Sequence, residues 1–307
     1  MSGVPLPQRP LTRRRIPLLA AKTVVADLRY SPGHQRRRSV ARLRASIRPD
    51  LGAMVFVVGA PRSGTTFLGE ALAAIPKFSY HFEPVIIKAA VPYVYAGEWS
   101  PERAASLYRR TYRWLARVRL DGDLRQVDKT PQNAMIVPFL AGAFPDARFV
   151  HILRDGRDVA SSWSRKPWLD PAGAALGRHE PGGYRYGPVA RFWVEPDRVA
   201  EFETTTTPHR CAWGWRRHVA AARSAGRQLP PHRYVEVRYE DLVADPGRVG
   251  GTLLDFLEVE EGSRPKAMEV LGRARDDTGG RWRDEWSDRD LDLVLAEIGP
   301  LLAELGY

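Results

Sequence analysis

Apolar and polar positions along the chain alternate between strand-like and helix-like spacing. Residues 54–59, MVFVVG, form an unbroken apolar run of strand length, the pattern of a parallel strand buried on both faces. TTFLGEALAAI (65–75) follows with helical spacing and stops before Pro76. The next stretch, PKFSYHFEPV, is read as irregular. From Pro101 to about Leu120 the pattern is amphipathic and predicts a helix, with proline at a favoured first position. RQVDKT (125–130) predicts a short strand, followed by a helix from about Gln132 to Phe144. ARFVHILRD (147–155) predicts another core strand, turning straight into a helix at GRDVASSW. A helix near 210–226 leads to the strand RYVEVRY (233–239), and the remainder reads as mostly helical. This alternation implies a single α/β domain over 51–307, with a mainly parallel central sheet flanked by helices. Between 166 and 208 the periodicity fails and Gly, Pro, aromatic and charged residues dominate, as in a lid or binding segment.

Charge changes this picture at the N-terminus. The chain of 307 residues has a net charge of +11, which favours anionic partners, and much of the excess is arginine in the first 50 residues (TRRR, HQRRR, RLRASIR). Residues 1–50 are therefore read as a basic lead-in, partly helical or disordered. It either lies on an acidic membrane surface or is a solvated arm. No apolar run reaches the roughly 18 residues that a membrane span needs. The single cysteine, Cys211, rules out an intrachain disulfide and fits a reducing, cytoplasmic compartment. The histidines show no metal-ligand spacing, and no catalytic metal is expected.

The candidate chemistry begins at FVVGAPRSGTT (56–66). A strand-to-helix turn with Gly59 and Gly64 at its ends lets backbone N–H groups approach an anion, and the helix N-terminus adds positive potential. Thr65 and Thr66 stand where a nucleotide-binding P-loop has lysine and then Ser or Thr. Arg62 supplies a cation from inside the turn, and a guanidinium can grip a tetrahedral oxyanion with two bonds. The plainer reading is a tight turn whose threonines cap a helix. In FVHILRDGRDVASSW, Arg154 ends a buried strand and Ser162 follows eight residues later on the helix. Ligands of open parallel sheets bind outside the strand carboxyl ends. The two residues could therefore converge on a second phosphate, or Arg154 could merely pair with Asp155 or Asp158.

GAPRSGTT, followed about 90 residues later by RDGRDVASS, resembles the paired cofactor motifs of sulfotransferases that use 3′-phosphoadenosine 5′-phosphosulfate (PAPS). The stretches VDKTPQN, VRYEDLVADP and GRWRDEW also look like segments of bacterial members, so the likeness covers roughly residues 54–307. The resemblance implies that Arg62, Ser63, Gly64, Thr65 and Thr66 hold the 5′-phosphosulfate. It gives the 3′-phosphate to Arg154 and Ser162. The cytosolic branch has lysine where this chain has Arg62, so the match is closer to the branch with tyrosylprotein and many bacterial enzymes.

The implied reaction is in-line sulfuryl transfer to a hydroxyl of a small-molecule, carbohydrate or glycolipid acceptor, with protein cations stabilising the developing charge. Arg62 and Lys129 are the candidate cations, Lys129 by likeness to a family lysine, though it could instead be a surface lysine paired with Asp128. YHFEP offers Glu83 and His81 as base; the arginine-containing loop favours Glu83. Tyr239 resembles a position near the nucleotide, and Gly280 and Arg281 resemble a segment that closes over it. Trp213 and Trp215 are read as packing. Two rival readings are weighed. A P-loop kinase or NTPase would need the absent lysine and a Mg²⁺-binding carboxylate at Asp128 or Asp155. A nucleic-acid or membrane-surface protein would use the arginines but leave both anion motifs idle, and no nucleic acid partner is expected.

Overall fold

The computed structural model describes residues 3–31, 39–277 and 279–307; the HQRRR cluster singled out above lies outside them. Five strands form one sheet: β1 (Val55–Val58), β2 (Phe78–Phe82), β3 (Arg125–Lys129), β4 (Arg148–Leu153) and β5 (Tyr234–Arg238). Their order is β2-β3-β1-β4-β5 and every pairing is parallel. The single α/β domain with a parallel sheet is thus as expected.

The apolar run of β1 is explained by its central place, since all four of its residues are buried. Val55 and Val57 pack toward α3 (Thr65–Ala73), α11 (Tyr239–Ala244), α12 (Pro246–Phe256) and α13 (Pro265–Leu271). Phe56 and Val58 face the opposite layer. That layer contains α4 (Val85–Tyr95), α5 (Pro101–Arg119), α6 (Val137–Ala143), α7 (Gly156–Ser164), α10 (Thr207–Gly226) and α15 (Asp288–Leu305). Short helices α8 (Pro171–Ala174) and α9 (Val199–Thr204) sit in the 166–208 segment, and α14 (Trp282–Glu285) follows the Gly280 turn.

The stretch read as irregular, PKFSYHFEPV, contains β2, a parallel edge strand on β3. Its polar residues disguised the alternation. Phe78 and Tyr80 belong to the α3 layer, while Ser79 and His81 enter a buried polar network on the other side. Gln126 donates its amide to the carbonyls of Asp121 and Leu124, so its Oε1 must accept from His81 Nε2 at 2.8 Å. Nδ1 donates to Asp27 at 2.9 Å. With both ring nitrogens donating, His81 is an imidazolium. Burial opposes that charge, but Asp27 outweighs it and raises the pKa.

The same Asp27 accepts from Arg119 at 3.1 Å, so the network clamps α1 (Ile16–Tyr30) onto β2 and α5. A second helix, α2 (Val40–Ile47), rests on the end of α5 through bonds from Arg117 to the Ser46 and Ile47 carbonyls. The residues before α1 run over the 166–208 segment. Arg9 donates its backbone N–H to Gly183, Tyr184 its hydroxyl to the Pro5 carbonyl, and Arg185 its N–H to Gln8. Among the described residues, no helix is long and apolar enough to cross a membrane.

Candidate active site

Each of the five strands delivers one of the sequence-selected elements at its carboxyl end. The loop from Gly59 leaves β1, Glu83 follows β2, Lys129 ends β3, Arg154 follows β4 and Tyr239 follows β5. This is the edge at which open parallel sheets bind ligands.

The β1–α3 turn is built for close approach. At Gly59 (φ 152°) a Cβ would lie 2.7 Å from the Ile152 carbonyl oxygen, and at Gly64 (φ 94°) 2.8 Å from the Tyr239 ring. No other residue type fits either position without moving its surroundings. Ser63 is fully buried, and its Oγ has no hydrogen-bond partner in the protein. The first N–H groups of α3 have no intrahelical acceptors, and Thr65 and Thr66 stand beside them. A cradle closed to side chains, an orphaned hydroxyl and open N–H donors together fit an anionic group.

Arg62 lies in the left-handed region (φ 78°) and donates Nε to Ser162 Oγ at 3.2 Å. The two motifs are therefore in direct contact. Burial, and then the charges of Arg165 and Arg154, push the Arg62 pKa down. Arg154 is nearly buried, ion-paired to Asp276 at 2.8 Å and laid over the Tyr239 ring at 4.6 Å. Tyr239 donates its hydroxyl to the Arg275 carbonyl. Trp215, fully buried, donates to the Arg154 carbonyl, and Trp213 to Glu195, so both tryptophans are packing residues. Asp158 accepts from the Gly280 N–H and so holds the turn that carries Gly280 and Arg281; Arg281 itself is exposed and bonds the Asp277 carbonyl.

Glu83 is the centre of a cation clamp. Its backbone N–H donates to the Lys129 carbonyl at 3.0 Å, and its φ of 42° is left-handed. One carboxylate oxygen accepts from Lys129 Nζ at 2.6 Å and the other from Lys88 Nζ at 2.5 Å. Burial would raise the carboxyl pKa, but Lys88 and Lys129 outweigh it and hold Glu83 at about 2. Lys129 is fully buried, with its ammonium 3.7 Å from the centre of the Phe82 ring, and burial lowers its pKa despite Glu83. On Lys88 burial pulls down but Glu83 wins, and the pKa rises.

Glu83, Lys88, Arg62 and Thr66 all line one cavity of about 390 Å³. Its far wall is aromatic: Trp163, Trp168, Tyr184, Tyr186, Phe192 and Trp193, most of them from the 166–208 segment. That wall is held by Arg191, which is 2% exposed and bonds Glu180 and the carbonyls of Trp168 and Arg185. Among the described residues, no three His, Cys, Asp or Glu side chains form a group able to hold a metal.

A model of the sulfotransferase family matches residues 54–169 and 190–262, well over half of the chain. The chain belongs to the sulfotransferase family. An uncharacterized protein of Aquifex aeolicus (strain VF5) is 36% identical over 124 residues, 35% of this chain; the chain spans only 16% of that relative. Among solved structures, sulfotransferase STF9 from Mycobacterium avium superposes with a TM-score of 0.55 at 13% identity, covering 95% of this chain and 85% of that one. A sulfotransferase domain from the curacin biosynthetic pathway gives 0.51 at 18%, covering 84% and 98%. Mouse sulfotransferase SULT7A1, complexed with PAP, gives 0.50 at 14%, covering 87% and 94%. At such identities the likeness is one of fold.

Against this sulfotransferase fold, the sequence-selected residues sort clearly. Arg62, Thr66 and Glu83 line the cavity; Ser162 bonds Arg62, Lys129 bonds Glu83, Ser63, Gly64 and Thr65 complete the turn that carries Arg62, and Tyr239 packs on Gly64 with Arg154 over its ring. His81 does not belong to the cavity: it is fully buried and both ring nitrogens are engaged. Lys129 pairs with Glu83, while Asp128 turns to Thr130 and Asn133. Asp155 is consumed by Arg157 and the α7 cap. Neither carboxylate is placed as the Mg²⁺ ligand that an NTPase would need. Lys88 escaped the sequence reading. Its signal was present, as the one charged side chain in the otherwise apolar helix VIIKAAVPYVY.

Proposed function

We propose that this sulfotransferase moves a sulfuryl group from PAPS to the hydroxyl of an acceptor held in the aromatic-walled cavity. One observation carries the reading: Arg62 and Thr66 of the anion-cradling loop and the Glu83–Lys88 pair of the clamp line the same 390 Å³ space, with Lys129 bonded to Glu83 behind them. The donor supplies an electrophilic sulfur attached to a phosphate leaving group. The Gly59–Thr66 turn binds its phosphosulfate end, with Arg62, the Ser63 hydroxyl and the α3 N–H groups as donors. Arg154 and Ser162 bind the 3′-phosphate, Tyr239 flanks the nucleoside, and the Gly280–Arg281 turn closes over it. The complex of mouse SULT7A1 with PAP, the same nucleotide without its sulfuryl group, supports this choice of donor.

Glu83 accepts the proton of the acceptor hydroxyl on a carboxylate oxygen. Its left-handed backbone and two lysines fix that oxygen at the cavity wall. Lys129 and Arg62 then offset negative charge where it develops. The aromatic wall positions the acceptor by its apolar face, for a small molecule or for the sugar of a carbohydrate or glycolipid. The lid arginine closest to the cavity, Arg191, is bound to Glu180 and is not offered to an acidic acceptor.

PAPS should raise the melting temperature without Mg²⁺, and ATP should not. Labelled PAPS incubated with host extract should yield a labelled product, and folded Glu83→Gln should lose about 10²–10⁴ of the rate. Near-normal turnover by Glu83→Gln would remove the base assignment, and stabilisation by Mg·ATP alone would remove the donor.

A further inference from the structure

We infer that the outward face of α1 and α2 docks on an anionic lipid bilayer. Residues 1–49 hold twelve of the chain's Lys and Arg residues and one carboxylate, Asp27, so the whole net charge of +11 resides there and the rest of the chain is balanced. Asp27 is buried against His81 and Arg119, which leaves no exposed carboxylate on either helix.

The apolar residues have the complementary arrangement. On α1, Leu19, Thr23 and Asp27 face the protein, while Leu18, Val25 and Leu28 project to solvent at 55–66% exposure. On α2, Val40, Leu43 and Ile47 do the same at 55–67%. Exposed large hydrophobic side chains are otherwise sparse among the described residues, and two of the remaining ones, Trp114 and Val118, lie on α5, on which α2 rests. Lys22, Arg29, Arg44 and Arg48 are exposed between these apolar residues. Aliphatic side chains interleaved with cations, on helices held to a folded domain, suit the headgroup boundary of an acidic membrane.

Two other occupants fit less well. A second copy meeting this face across a two-fold axis would set arginine against arginine. Nucleic acid would engage the cations but leave the aliphatic side chains facing phosphates. A smaller cavity beneath α1, lined by Arg15, Leu19 and Lys22, shares Glu180 and Pro181 with the aromatic-walled cavity, so docking sets the mouth of that cavity beside the lipid surface. The docking does not rest on the sulfuryl-transfer reading.

The test is co-sedimentation of the full chain with phosphatidylcholine vesicles, with and without phosphatidylglycerol, at low and high salt. Binding is expected only with phosphatidylglycerol and is expected to weaken with salt. Arg44→Ser with Arg48→Ser should lower binding about fivefold per arginine removed. Leu18→Ser with Val25→Ser and Leu28→Ser should reduce it at least as much. Neither variant should alter melting temperature or PAPS-induced stabilisation in solution. The inference is overturned if the wild-type chain stays in the supernatant with acidic vesicles, or if the triple serine variant binds like wild type. It is also overturned if that variant instead abolishes a concentration-dependent dimer, or if only nucleic acid is bound.

Discussion

Replacing Lys88 with methionine removes one arm of the Glu83 clamp at little change in volume. Glu83 is held at about 2 against an ordinary 4.5, which corresponds to about 3 kcal/mol favouring the ionised form after burial has acted against it. Both lysines contribute, and the carboxylate is about one-fifth exposed, so solvent screens part of each interaction. Without Lys88, burial gains relative weight and the Glu83 pKa rises toward or above the ordinary carboxylate value. Its folded-state pKa is depressed in the wild type, so the ionised carboxylate persists as pH falls well below 4.5. In Lys88→Met it is lost at higher pH. The assay is kcat/KM for sulfuryl transfer across pH 4.5–8.5, which reports groups of the free enzyme. Wild type should be flat on the acid side over this range, whereas the acid limb of the variant should move up toward or into it. At pH 8 the variant should retain or exceed the wild-type rate, because a less acidic Glu83 is a stronger base. Lys88→Arg should restore the wild-type profile. A uniform loss of rate with no movement of the acid limb would refute the reasoning and leave Lys88 a packing residue.

Three further perturbations follow from the same geometry. Asp128 is pushed up to about 7 by burial, so its protonated form favours the fold: that stability is complete below the unfolded value of 3.8 and lost as pH rises through 7. Asp128→Asn should abolish a fall in unfolding free energy of up to about 4 kcal/mol between pH 4 and 7, read by urea titration, and an unchanged slope would contradict this. Asp27→Asn leaves His81 and Arg119 without their shared carboxylate and should cost about 3 kcal/mol by the same titration; a loss below about 1 kcal/mol would show that the network is not holding α1. Gly64→Ala places a Cβ 2.8 Å from the Tyr239 ring at a φ of 94°, so the variant should melt lower and show little PAPS-induced rise in melting temperature, whereas a normal rise would mean that the loop is not the donor site.

The legible parts of the fold were those whose local pattern matches their burial. The run at 54–59 and the Phe149–Val150 and Ile152–Leu153 pairs are apolar because β1 and β4 are buried on both faces. The strand β2 was hidden because Ser79 and His81 occupy core positions, and only partners distant in sequence, Asp27 and Gln126, make a buried histidine acceptable. The site was legible where one short segment holds all its parts, as in the Gly59–Thr66 turn. It was not legible where tertiary contacts decide. The pairing of Arg154 with Asp276 spans 122 residues, and that of Arg62 with Ser162 spans 100. The clamp on Glu83 likewise needed β2 to lie beside β3, since Lys129 reaches Glu83 only through that register.

The loop's departure from a nucleotide-binding P-loop now has a physical sense. A lysine at the helix start would reach along α3 toward a more distant phosphate; here the positive charge is moved back into the turn. Arg62 adopts a left-handed backbone, unusual for a residue with a side chain, and Glu83 does the same at the end of β2, two strands away. Such conformations cost of order 1 kcal/mol each and persist only where the surroundings over-determine them. At Arg62 the surroundings are the Gly59–Gly64 turn and Ser162, and at Glu83 they are the Lys129 carbonyl and two ammonium groups. Both strained residues turn toward the same cavity, one presenting a cation and the other a carboxylate. Two charges of opposite sign held at one wall, yet bonded to different partners, are what a transfer between an anionic donor and a hydroxyl acceptor requires: a cation for the departing charge and a separate base for the arriving proton.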